Sequence, residues 1–89
     1  MAVSEQHIEK SIAVAKEYGI NRLILFGSAL EQPEQARDID LACDGLEGWK
    51  LFEFAGRLED ELNILVDIVP LSPPTPFSRY IESKGKILI

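Results

Sequence analysis

Two aspartates one residue apart, Asp38 and Asp40, open the otherwise apolar run "DIDLAC", and a third, Asp67, interrupts "ILVDIVP". Side chains alternate along a strand, so Asp38 and Asp40 share one face while Ile39 and Leu41 take the other. Asp67 stands between Val66 and Ile68 in a run that reads as fully buried, and a buried aspartate needs a partner or a metal. If the two strands are neighbours, the three carboxylates converge. Three anions a few ångströms apart repel one another and lose hydration, so such a cluster persists when a cation fills it. Oxygen-only ligands favour Mg²⁺ or Mn²⁺ over zinc. Taken alone, "DID" in an acidic chain reads more readily as a solvated strand end. Asp67 is what gives the combination its weight.

The rest of the pattern predicts an α/β domain. Ser4 can cap a first helix reaching about Tyr18, with Ile8, Ile12 and Ala15 at helical spacing and Gly19 as its stop. "NRLILF" reads as a short buried strand. Gly27-Ser28 ends it, and "SALEQ" forms a short helix before Pro33. "DIDLAC" is the second strand, and Asp44-Gly45 turns the chain. A longer helix is expected over residues 46–63, with Leu51, Ala55, Leu58 and Leu62 on one stripe and Phe52 and Phe54 flanking it. "ILVDIVP" is the third strand. Thr75 and Pro76 suit the N-cap and first position of a last helix running to Lys84, and "KILI" is a candidate fourth strand. The expected fold is a mixed sheet of three to four strands flanked by helices, a single domain over residues 1–89.

Charge and cysteine usage narrow the function. Fifteen acidic residues against nine Lys and Arg give a net charge of −6. That balance disfavours direct binding to a phosphate backbone and suits a basic protein partner or divalent cations. Cys43 is the single cysteine, so no intrachain disulfide forms and a reducing cytoplasm is the expected setting. "MAVSEQHIEK" holds no apolar leader segment, and no apolar run is long enough for a bilayer, so no membrane role is expected. His7 reads as a surface residue rather than a ligand, Cys43 and Trp49 as core. "SPPTPF" is a rigid connector that could present Phe77 to a partner, and Arg79 and Tyr80 could either reach a ligand or cover the sheet.

Gly27-Ser28 follows a buried strand and opens a helix, where backbone N–H groups can hold an anion. A glycine lets phosphate approach the backbone, and the Ser28 hydroxyl can donate to it. Taken alone, the pair reads more readily as a plain strand-to-helix turn with Ser28 as N-cap. Placed upstream of the aspartates, it supplies the other half of a site for a nucleoside triphosphate, with metal between carboxylates and phosphates.

The arrangement Gly27, Ser28, Asp38, Asp40 and Asp67 resembles the minimal nucleotidyltransferase (MNT) family of the DNA polymerase β-type superfamily. The likeness spans nearly the whole chain, from the first helix through "LILFGSAL", "ARDIDLAC" and "ILVDIVPL" to "YIESKGKILI". It implies a nucleotidyltransferase core, a nucleotide site at Gly27 and Ser28, and a catalytic, metal-binding set of Asp38, Asp40 and Asp67. It also implies Mg²⁺ (or Mn²⁺) as cofactor and ATP as substrate. Many members of this size resemble the antitoxin of a toxin–antitoxin pair whose partner is a small helical HEPN protein, and some attach AMP to it. Two features depart from the family pattern: the spacer between Ser28 and Asp38 is nine residues, one shorter than the family's usual form, and Ala29 and Leu30 stand where an arginine often follows the serine. They motivate an alternative, a catalytically weak module that neutralises a HEPN toxin by complex formation alone.

Overall fold

The first helix shows how local chemistry sets the boundaries. In this computed structural model, which describes residues 2–89, α1 (Glu5–Glu17) is closed at its start by Ser4 and His7. The His7 backbone N–H donates to the Ser4 hydroxyl at 3.3 Å, and the Ser4 N–H donates to His7 Nδ1 at 3.0 Å. His7 is thus a capping-box residue, satisfying a backbone donor that the helix end leaves over.

The sheet has four strands in the order β3-β2-β1-β4. β1 (Arg22–Phe26) runs antiparallel to β2 (Asp38–Asp44), with Phe26 opposite Asp40. β2 runs parallel to β3 (Leu65–Pro70), with Asp40 opposite Asp67 and Asp38 opposite Leu65. The parallel pair needs a crossover, supplied by α3 (Trp49–Leu62). β4 (Lys86–Ile87) pairs antiparallel with β1 and is half the length of "KILI". A short helix, α2 (Ser28–Glu31), follows β1, and α4 (Pro76–Lys84) follows β3. Among the described residues no helix is long and apolar enough to cross a membrane.

The two sheet faces bury different things. Leu23, Leu25, Ile39, Leu41, Cys43 and Val66 form the main core with Val14 and Ala15 of α1 and Phe54 and Leu58 of α3. On the opposite face Ile24, Ala42 and Leu71 pack on Ile81 of α4, flanked by Phe26 and Val69. α4 starts at its own capping box between Thr75 and Ser78 and carries Pro76 in the first turn, as its sequence predicts. Its buried residues are Ser78 and Ile81, so the carboxylate end of the sheet is left uncovered.

Three expectations change. Phe54 is fully buried and lies at the heart of the α3 stripe, whereas Phe52, two positions away and on the outer face of the helix, is 80% exposed. Trp49, expected in the core, is 66% exposed because it begins α3 at the rim. Asp67 is exposed, not buried. β3 is an edge strand, and α4 covers only part of the face that Asp67 shares with Asp38 and Asp40.

Candidate active site

Strand register brings the carboxylates together. Asp40 and Asp67 are Cα partners on adjacent parallel strands and therefore point to the same side, one strand spacing apart. Asp38 stands two residues before Asp40 on that side. One carboxylate oxygen from each of the three lies within 4.8 Å of the others. Asp38 and Asp40 are half-buried and Asp67 is exposed. The convergence expected from the sequence is therefore present, although its premise of a buried Asp67 is not.

Asp40 carries the electrostatic load. Burial pushes its carboxyl above the ordinary aspartate range, and the neighbouring charges of Asp38 and Asp67 push it further the same way. No lysine, arginine or histidine forms an ion pair with any of the three among the described residues. Clustered carboxylates with no cationic side chain, spaced for a shared ion, form a donor set that suits a hard divalent cation. Asp38, Asp40 and Asp67 are the residues that could hold it.

Gly27 is fixed by this cluster. Its φ of +75° and ψ of −155° lie where side-chain-bearing residues are strained, and a Cβ there would collide with Oδ2 of Asp40. The backbone can approach the carboxylate only because the residue is glycine. Gly27 is the N-cap of α2 and Ser28 its first residue, with an exposed side chain free to reach an incoming ligand. Ala29, the next residue, is buried in the core, so the position after the serine offers no cation.

Residues outside the predicted set border the same place. Phe26 is the cross-strand partner of Asp40 and shares its face, giving a row Phe26–Asp40–Asp67 across three strands. Phe77 packs edge-on against Phe26, with ring centroids 5.8 Å apart. Tyr80, one turn further along α4, lines a small cleft with Phe26, Gly27 and Lys84. Alternation along "NRLILF" was enough to put Phe26 opposite Leu25. Its place beside Asp40 depends on hairpin register, and that of Phe77 and Tyr80 on how α4 docks. Arg79 is exposed.

No family model matches the sequence, and no curated protein does. Solved structures match closely in shape. A mutant of the toxin–antitoxin pair MntA–HpeT superposes with a TM-score of 0.80 at 22% identity, over 92% of this chain and 72% of that one. A toxin–antitoxin with AMP-PNP gives 0.79 at 25% identity, over 92% and 72%. The tri-AMPylated Shewanella oneidensis HEPN toxin in complex with MNT antitoxin gives 0.75 at 23% identity, over 96% and 71%. The fold is that of these MNT structures, and the likeness bears out the resemblance carried by the Gly-Ser and aspartate motifs.

Proposed function

We propose that this chain is the antitoxin of a HEPN/MNT toxin–antitoxin pair and that it transfers AMP from ATP to a hydroxyl of its small helical partner. The observation that carries the reading is the meeting of Asp38, Asp40 and Asp67 on one face, against the glycine turn that a phosphate needs. The solved toxin–antitoxin with AMP-PNP and the AMPylated HEPN toxin support the donor and the acceptor class.

In this reading Asp38 and Asp40 would hold Mg²⁺ (or Mn²⁺), with Asp67 completing the set. An ion held there would supply charge neutralisation for the phosphates and for the departing pyrophosphate. The Gly27 backbone leaves room for the phosphates, and the Ser28 hydroxyl donates to one of their oxygens. Asp67, at the exposed edge strand, accepts the proton of the attacking hydroxyl. That oxygen bonds to the α-phosphorus, the bond to the bridging oxygen of pyrophosphate breaks, and pyrophosphate leaves. The protein contributes alignment and preorganised charge.

The test is incubation of the co-purified partner with ATP and Mg²⁺, read by intact mass. A gain of one or more AMP units is expected with the wild type and none with Asp38→Asn/Asp40→Asn. Transfer by the double variant at the wild-type rate would reject the site. A second reading has its own observation: buried Ala29 gives no cation beside Ser28, and Glu31 stands close to Gly27. If the chain acts by masking the toxin alone, the double variant still binds and protects.

A further inference from the structure

A nucleotide whose phosphates lie at the Gly27 turn and whose α-phosphorus lies at the carboxylates must put its base against something nearby. The surface around the triad offers one candidate with aromatic character. Phe26 is half-buried beside Asp40 on the same sheet face. Phe77 stands on it at 84°, in T-shaped contact, and keeps 51% of its own surface exposed. Tyr80 is 58% exposed, follows Phe77 by one helical turn, and closes a cleft with Phe26 and Gly27. Two large aromatic side chains left half in water, braced by a third and contiguous with the Gly27 turn, need an explanation that packing does not give. Ile81 already joins α4 to the sheet.

We infer that Phe26, Phe77 and Tyr80 form the wall against which the donor's nucleobase packs, making α4 the element that recognises the base. The inference rests on the nucleotidyl-transfer reading of the carboxylates. It also divides the site by direction. The base lies on the β1 and α4 side, and the acceptor approaches from the open edge at Asp67, where the neighbouring Leu65 is 68% exposed. Every base has a flat π-face, so the wall strengthens nucleotide binding without by itself distinguishing adenine from guanine.

The experiment compares two probes by titration calorimetry in the presence of Mg²⁺: ATP, and inorganic tripolyphosphate, which has the phosphates and no base. Phe77→Ala and Tyr80→Ala are each expected to weaken ATP about tenfold, in the range of base–aromatic stacking, while tripolyphosphate affinity stays within about twofold. Phe77→Trp should restore ATP binding. Retained tripolyphosphate binding shows that each variant is folded. Equal losses for both probes, or no loss for either, overturn the wall and leave the carboxylate reading standing. ATP affinity unchanged while capture of the partner is lost would reassign the aromatics to the protein interface. A wild type that binds neither probe overturns the nucleotidyl-transfer reading itself, and the wall with it.

Discussion

At the scale of single residues, Asp40 and Gly27 are the pair on which the site depends. Asp40 is pushed above the ordinary aspartate range, first by burial and then by Asp38 and Asp67. In the unfolded chain Asp40 ionises at its ordinary value, while the folded, metal-free chain keeps the proton to higher pH. Within that window the native state binds more protons, so its stability falls as pH rises through it. Asp40→Asn should therefore raise the urea midpoint of the metal-free protein above the window and flatten this part of the pH profile. An unchanged profile would show that the charge costs the fold nothing. Gly27→Ala meets two obstacles, a strained backbone region and the Asp40 carboxylate. It should lose at least about 1–3 kcal/mol of stability in chemical unfolding and lose Mg²⁺ binding together with it. The aspartate motif was legible from strand alternation because period two is a purely local rule. The exposure of Asp67 was not, since a single run of residues does not tell whether its strand is central or at an edge.

Among the elements, α3 shows what periodicity can and cannot supply. The stripe Leu51, Leu58, Leu62 follows from spacing, yet Phe54 and Phe52 look alike in sequence and differ fully in burial. Phe54→Ala should cost about 3–5 kcal/mol, whereas Phe52→Ser should stay within about 0.5 kcal/mol. Urea midpoints measured side by side check both, and comparable losses would mean that the helix is rotated about its axis. α3 also reaches the site indirectly: the Glu59 carboxylate accepts from the Val66 backbone N–H at 3.0 Å, one residue before Asp67. The long helix thereby anchors the edge strand that carries the third carboxylate. Trp49 was misplaced for a reason similar to Phe52. A large aromatic at a helix start satisfies the apolar pattern whether the helix begins inside the core or at its rim.

For the whole molecule, the sheet separates stability from chemistry by side. Helices α1 and α3 close one face over the main core, while the other is covered by α4 only in part. A cation bound among the carboxylates stabilises the folded state alone, so Mg²⁺ at about 100 times its dissociation constant should add about 2.7 kcal/mol. For a chain of this size that raises the melting temperature by on the order of 10 °C. Asp38→Asn/Asp40→Asn should remove most of that increment; a shift of equal size in the double variant would place the ion elsewhere. Fold order and strand identity were readable from the chain because each element has its own period and punctuation. The docking angle of α4, and with it the aromatic flank, was not readable, because it is set by contacts between residues some fifty positions apart, such as Phe26 and Phe77. The β1–β2 ladder has one more consequence. Five rungs from Arg22–Asp44 to Phe26–Asp40 set where Asp40 lands, so the stretch between Ser28 and Asp38 is slack rather than a ruler. A missing link in it leaves the business end of the hairpin in place, and a residue or two spliced in at the exposed Glu34 and Gln35 would do the same.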